Sequence, residues 1–347
     1  MRRLALFAAV VAGALAVPAT PASAHGGDAP DATAYRTAVT GISPAERGLS
    51  VRAVEAGARL ELRNDTGHTV EVLGYSGEPY LEVRPDGTYE NVNSPATYLN
   101  LTLTGTTAVP AGANPTAPPS WRRVSRSTTV RWHDQRTHWL SPGLPPQAVA
   151  DPDRSHRLRD WAVPLREEVR TFEVRGTLDW VPPPTAWLWW VGAALLAVAV
   201  TALGVRFGRP IGIVALVAGT TSFGYGVTRA LDGSWSGQLT VLVVAGLALL
   251  AGLLTLRRLA PFLLALGGLA LAIFAGFADS GVFRAGVVGI AGPAWWARLA
   301  VLIAIGAGLG TAAVGLLRLR AAAPGVSSGG TAAGLSAGAG ATTIVDA

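Results

Sequence analysis

The chain has 347 residues, of which 50% are apolar, and a mean hydropathy of +0.37. This is too apolar for an ordinary soluble domain and predicts membrane-spanning segments. The chain contains no Cys and its only Met is Met1, which excludes disulfide frameworks, thiolate metal sites and Cys nucleophiles. Nucleic-acid binding is also disfavoured despite the net charge of +6, because residues 25–186 carry 17 Arg against 19 Asp and Glu, a net charge of −2.

Residues 1–24 have the pattern of a secretory signal peptide. Two Arg near the start precede a short apolar core, Leu4 to Val17, and Ala22-Ser23-Ala24 matches an A-x-A cleavage site. We expect cleavage after Ala24, which makes His25 the first residue of the mature chain. A domain at residues 25–183 would then lie outside the cell.

This secreted domain shows the signals of short strands joined by turns. Leu60 and Leu62 alternate before the turn sequence Asn64–Gly67, and Val70 and Val72 alternate after it, which predicts a hairpin. A second turn is predicted at Arg84-Pro85-Asp86-Gly87, and a last strand runs from Phe172 to Trp180. No long amphipathic helix interrupts these strands. The pattern predicts an all-β antiparallel sandwich.

The segment WHDQRTHW, Trp132 to Trp139, is the strongest candidate for a site. Residues five apart share a ligand neither in a straight strand nor in a straight helix. A hairpin whose loop is Asp134–Thr137 would instead place His133 opposite His138. Two imidazoles so placed can bind zinc or copper(II), and Asp134 can add an oxygen ligand. The alternative is a packed hairpin whose His side chains bond to the backbone.

The mature N-terminus offers a third ligand for such a site. His25 would present its amine and its imidazole together, a chelate that favours copper(II). In this respect the chain resembles CopC-type copper-resistance domains, which are secreted β-sandwiches whose mature chain begins with His. The likeness is one of architecture alone.

A closer resemblance rests on four segments: GYSGEPYLEVRPDG, NSPATYLN, WHDQRTHW and LDWVPPP. Together with the apolar C-terminal half, they resemble a group of uncharacterised multi-span membrane proteins of high-GC bacteria. The resemblance covers Thr37 to about Pro184. It implies a third His at a position where this chain has Gln135. This difference from the group weighs against a metal site in this chain. It implies no activity.

Five apolar segments follow the prolines, at 187–206, 210–229, 238–256, 259–278 and 294–317, and each has about the 20 residues that cross a bilayer. Arg and Trp residues mark opposite ends of these segments. The Arg ends are cytoplasmic by the positive-inside rule, and the Trp ends form a belt at the outer interface. The five spans occupy 187–319, and the Gly- and Ala-rich residues 320–347 are predicted to be a disordered cytoplasmic tail.

We find no pattern typical of an enzyme. Gly74-Tyr75-Ser76-Gly77-Glu78 lacks the last Gly of a nucleophile elbow, and no phosphate-binding loop is present. The sequence therefore predicts a bacterial plasma-membrane protein that contacts the lipid bilayer and carries an extracytoplasmic binding module, with copper(II) or zinc as the metals that fit. Two alternatives stay open: a structural or assembly partner of another envelope protein without a metal, and a transporter subunit.

Overall fold

The computed structural model describes residues 32–235 and 237–322. The predicted signal peptide at 1–24, His25 and nearly all of the predicted tail at 320–347 lie outside these residues.

The N-terminal half is built from antiparallel strands. The strands of the described chain are β1 (Ala32–Thr33), β2 (Tyr35–Ser43), β3 (Leu49–Val54), β4 (Arg59–Asn64), β5 (Val70–Leu73), β6 (Pro79–Arg84), β7 (Gly87–Asn91), β8 (Trp121–Ser125), β9 (Thr129–Trp132), β10 (His156–Glu167), β11 (Arg170–Trp180) and β12 (Val287–Val288). One sheet has seven strands in the order β2-β11-β10-β5-β6-β7-β8, and a second has three in the order β3-β4-β9. The pair β1 and β12 joins the start of the described chain to the segment that precedes the last apolar helix.

Apolar side chains of the two sheets meet in a single cluster. Leu60 and Leu62 of β4 lie in it together with Val163 of β10 and Phe172 and Val174 of β11. All of these side chains are nearly inaccessible to solvent. The alternation along each strand thus turns one face of each sheet towards a common core.

Two of the predicted turns have different outcomes. The turn at Arg84–Gly87 joins β6 to β7 as predicted, with Arg84 opposite Gly87. The turn at Asn64–Gly67 is flanked by strands as predicted, but the hairpin is wrong, because β4 pairs with β3 and β9 while β5 pairs with β6 and β10. The Asn64 amide explains the crossing, since it donates to the carbonyls of His68 and Val83 and so ties one sheet to the other.

Five apolar helices form the C-terminal half. They are α1 (Ala186–Phe207), α2 (Ile211–Leu231), α3 (Gln238–Arg257), α4 (Pro261–Leu271) and α5 (Ala294–Ala321). Four of them, all except α4, are long and apolar enough to cross a membrane, which confirms four of the predicted segments. Helix α4 continues as a π-helix, Ala272–Phe277, within the fourth predicted segment, 259–278.

The remaining helical pieces are short. They are the helices Pro95–Leu99 and Pro146–Ala150 and the 3-10 turns Glu55–Gly57, Gln135–Thr137 and Ser280–Phe283. The first is begun by Ser94, whose hydroxyl accepts from the Ala96 amide, with Pro95 at the first helical position.

Small residues set the spacing of the apolar helices. Helix α5 lies at the centre and contacts α1, α2 and α4. A Cβ at Gly306 would lie 2.7 Å from the Ala193 carbonyl of α1, and a Cβ at Gly212 of α2 would lie 2.7 Å from the Gly252 carbonyl of α3. Backbones this close require Gly at both positions, as expected for small-residue packing in membranes.

Candidate functional site

The segment Trp132 to Trp139 forms a tight turn, so the predicted hairpin is wrong. Strand β9 ends at Trp132, and the residues that follow Asp134 form the 3-10 turn Gln135–Thr137. Trp132 is opposite Leu60 in β9–β4 pairing and lies in the core, whereas the Trp139 indole donates to the Gly143 carbonyl. The two Trp residues that flank the turn therefore have different surroundings and do not pair across strands.

The two His side chains nevertheless meet, and the point where they meet is the carbonyl oxygen of Ala58. His133 Nδ1 lies 2.8 Å from this oxygen, and His138 Nε2 lies 3.1 Å from it. A carbonyl oxygen has two lone pairs and can accept from both rings. Arg59 Nε donates to His133 Nε2 at 3.2 Å, which assigns the proton of a neutral His133 to Nδ1.

Burial keeps His138 neutral. Desolvation lowers the pKa of His138 to about 4, with the neighbouring His133 as the next largest cause. At neutral pH the imidazole therefore carries no charge. Its Nδ1 makes no hydrogen bond among the residues that the structure describes, so this nitrogen is the one available to a ligand.

Asp134 is engaged on both carboxylate oxygens. Its Oδ1 accepts from the Arg136 backbone N–H and Nε at 3.1 and 2.8 Å, and its Oδ2 accepts from Trp132 Nε1 and Arg136 Nη2 at 3.1 and 2.8 Å. The carboxylate is fully buried. This geometry favours Asp134 as the group that holds the turn.

Two cavities lie against the His pair. His138 lines a cavity of about 80 Å³ together with Thr33, Tyr35 and Trp139. His133 lines a separate cleft of about 320 Å³, whose walls include Trp132. A cleft of this size is within the range of small-ligand sites, whereas the smaller cavity can take an ion or a few water molecules.

The turn that carries Ala58 also contacts the helical half. The backbone N–H of Glu55 donates to the Asp232 carbonyl at 3.1 Å, and the N–H of Ala56 donates to Asp232 Oδ2 at 3.1 Å. Asp232 follows the last residue of α2. Glu55 and Ala56 both have left-handed backbones, with φ of 57° and 58°, a conformation that costs non-glycine residues about 1–2 kcal/mol each.

Ion pairs join this turn to β4 and β9. Arg59 Nη1 lies 2.9 Å from Glu55 Oε2, and Arg131 lies 2.6 Å from Glu61 and 3.6 Å from Glu55. Arg131 Nη1 also donates to the Gly233 carbonyl at 2.9 Å. These residues could not be predicted as part of a site, because the alternation of Arg with Glu along a strand is also typical of a solvated surface.

The predicted metal site stays a prediction. Among residues 32–235 and 237–322, no group of three or more His, Cys, Asp and Glu side chains is arranged to hold a metal ion. His133 and His138 lie together in the structure, and the Asp134 carboxylate forms an ion pair with Arg136. His25, the predicted third ligand, lies outside the described residues.

Comparison with known proteins adds no assignment. No family model matches this chain, and no curated protein or solved structure matches it. Function must therefore be inferred from the geometry of the site itself.

Proposed function

We propose that this chain is an integral plasma-membrane protein in which a β-sandwich stands on five membrane spans. The shared core of the two sheets supports the sandwich. Helix α4 and its π-helical continuation support the span predicted at 259–278, because Pro261–Phe277 is apolar and 17 residues extend about 26 Å, close to the ~30 Å of bilayer hydrocarbon.

The β half is proposed to lie outside the cell and the C-terminus inside. The loop after α2 that contacts the β half contains Trp235, and Trp295 and Trp296 begin α5 at the same end. Arg206, Arg257 and the pair Arg318 and Arg320 end α1, α3 and α5. Trp at one end and Arg at the other fit an outer aromatic belt and a positive inner face.

The β-sandwich is proposed to be a binding module. Binding of a ligand to it is proposed to change the contacts between the sandwich and the apolar helices. One observation carries this proposal: the turn Glu55–Ala58 is bonded at one end to the loop after α2 and at the other end to the His pair. A ligand that moves His133 or His138 must therefore also displace the turn Glu55–Ala58, which is bonded to the loop after α2. The left-handed conformation of Glu55 and Ala56 is consistent with strain retained for function.

A divalent metal is the ligand that best fits the smaller cavity, with copper(II) ahead of zinc. His138 lines this cavity and its Nδ1 makes no hydrogen bond to a described residue, and Thr33 lines the same cavity eight residues after His25. Eight residues can span up to about 26 Å, so the amine and imidazole of His25 can reach His138. A site of imidazole and amine nitrogens suits copper(II).

A copper titration of the full-length mature protein tests this proposal. Replacing both histidines, His133→Ala with His138→Ala, should abolish high-affinity binding, while replacing the exposed His68 by Ala should leave it unchanged. An extra residue ahead of His25 should weaken binding, because it displaces the free amine. If the double replacement binds copper as tightly as the parent, the His pair is structural and the metal proposal is wrong.

A second proposal, an assembly partner of another envelope protein, is favoured by exposed apolar side chains in one loop. Leu140, Leu144 and Val149 are 43, 55 and 66% exposed within ten residues, and exposed apolar clusters mark contact surfaces. The replacements Leu144→Ser and Val149→Ser should dissociate a native complex that Val169→Ser, at the exposed β10–β11 turn, leaves intact. An intact complex in all three variants would reject this surface.

A further inference from the structure

A polar stripe crosses the outer half of α2, on the face that is buried in the helix bundle. Ser222, Tyr225 and Arg229 are spaced three and seven residues apart and so lie on one face of the helix. All three are buried. Arg229 is two residues from the end of α2 that contacts the β half, and Ser222 is nine residues, or about 13 Å, from the same end.

Arg229 is held in this stripe by two neighbours. Its Nη1 lies 3.0 Å from Asp279 Oδ1 and donates to the Tyr225 hydroxyl at 3.4 Å. The side chains of Arg229 and Asp279 are 2% and 1% exposed. The charges are thus neutralised within the bundle, as buried charges in membranes must be.

The amide of Gln238 lies at the same level. Helices α2 and α3 pack antiparallel, and a Cβ at Gly219 would lie 2.9 Å from Leu249 while a Cβ at Gly226 would lie 3.2 Å from Leu242. Continuing this register places Gln238 beside the turn of α2 that carries Arg229. Gln238 is 1% exposed.

Two side chains of this region have hydrogen-bonding atoms without a partner in the described chain. They are Gln238, at both Nε2 and Oε1, and Ser222, at Oγ. Each is 1% exposed. A buried polar atom without a partner costs about 1–3 kcal/mol in proteins, and in a bilayer no surrounding solvent can supply the missing bond.

We propose that Ser222, Gln238 and the Arg229–Asp279 pair form a site in the helix bundle that holds small uncharged hydrogen-bonding solutes, water first. An uncharged occupant is favoured because the ion pair is already neutral and the other two groups are a hydroxyl and an amide. A bare ion would lose its hydration there without an opposite charge to replace it. The amide and the hydroxyl can each donate and accept, which suits water and solutes of that size.

The polar side chains of the buried α2 face lie in the half of the helix nearest the β half. The polar stripe begins at the end of α2 that contacts the β half and stops at Ser222. The next buried residues of α2 beyond Ser222 are Gly219, Ala218 and Ala215, whose side chains offer no polar atom. The polar groups that α2 contributes to the site therefore end at Ser222.

Thiol reactivity tests this proposal, and the absence of native Cys makes the test clean. The variant Ser222→Cys, in the full-length protein in lipid, is treated with methyl methanethiosulfonate, a small neutral reagent that reacts with thiolate. A hydrated thiol ionises, whereas apolar burial raises the thiol pKa. Cys at 222 should react at least about tenfold faster than Ala218→Cys, one turn deeper on the same face, since one pKa unit changes the thiolate fraction tenfold.

A second replacement asks whether the amide is hydrated. Gln238→Leu in the Ser222→Cys background should slow the labelling, because it removes a polar wall of the site. Gln238→Leu alone should lower the melting temperature, because the amide loses bonds to the occupant. Equal labelling at positions 222 and 218, or a raised melting temperature for Gln238→Leu, would show a dry bundle with unsatisfied groups and would overturn the proposal.

Discussion

The Ala58 carbonyl gives the two histidines a shared acceptor, and this fixes both their protonation and their position. His138 is the more informative residue, because burial lowers its pKa to about 4 while its unfolded value is near 6.5. The folded protein therefore keeps a neutral imidazole at a pH where the unfolded chain has already bound a proton.

This shift predicts an acid-sensitive stability. Above pH 6.5 both states have a neutral His138 and the group makes no difference. As the pH falls from about 6.5 to about 4, the unfolded chain binds the proton first and the folded state loses about 3 kcal/mol relative to it. Melting temperatures of the parent should fall over this window by more than those of His138→Gln.

The exposed His68 provides the control. The variant His68→Gln should keep the pH dependence of the parent. An equal decline with pH in His138→Gln and the parent would show that folding does not lower the pKa of His138.

The carboxylate of Asp134 is predicted to hold the turn that presents the histidines. Asp134→Asn keeps the shape but replaces one acceptor oxygen with an amide group facing Arg136, so we expect a loss of about 2–4 kcal/mol. Thermal unfolding measures the change, with Asp153→Asn at an exposed position as the neutral control. A shift as small as that of the control would mean that Arg136 finds other acceptors.

Part of this site could be predicted from the sequence and part could not. The spacing of His133 and His138 predicted a hairpin with a loop between them, and the structure has a 3-10 turn there without the hairpin. Their common acceptor lies about 75 residues away in sequence, and local pattern carries no information on such a contact. The left-handed Glu55 and Ala56 were also unpredictable, because neither is a residue type that favours that conformation.

At the scale of elements, alternation predicted strands better than it predicted their partners. Strands β4 and β5 each bury one face, formed by Leu60 and Leu62 in β4 and by Val70 and Val72 in β5. Any strand that covers a common core shows this alternation. Whether consecutive strands pair or cross to the other sheet depends on the turn between them. In β4–β5 the Asn64 side chain, which bonds across the sheets, decides the crossing.

The apolar helices were easier to predict, since length and composition suffice. The ends of α1, α2, α3 and α5 lie within a few residues of the predicted segments. The π-helix at Ala272–Phe277 was not predicted, because a change from α to π geometry has no composition signature. It leads directly to Asp279, the partner of Arg229.

Close packing of α5 against α1 predicts a strong effect at Gly306. A Val side chain there would meet the Ala193 carbonyl, so Gly306→Val should separate the helices and lower stability by about 1–3 kcal/mol. A matched variant exists at Gly246 of α3, where a Cβ would meet nothing within 4 Å. Melting in detergent should be lower for Gly306→Val than for Gly246→Val, and equal values would contradict the close packing.

At the scale of the whole molecule, the β half is docked on the helices. Strand β1 pairs with β12, and a Cβ at Gly286 would lie 2.6 Å from the Val181 carbonyl. With the bonds from Glu55 and Ala56 to Asp232, these contacts join the β half to the loops of the base.

The most direct test of the account is a disulfide across this junction, formed in the living cell. A Cβ at Gly289 would lie 3.4 Å from the Ala56 Cβ, close to the ~3.5–4.5 Å of disulfides. The variant with Ala56→Cys and Gly289→Cys has no other Cys, and the bond forms only in an oxidising compartment such as the cell exterior. We predict that purified protein contains the disulfide, while a pair of Ala56→Cys with Gly246→Cys keeps two free thiols.

Two free thiols in the Ala56–Gly289 pair, even after added oxidant, would contradict the docked arrangement. A disulfide that forms only after oxidant is added would contradict the extracytoplasmic location.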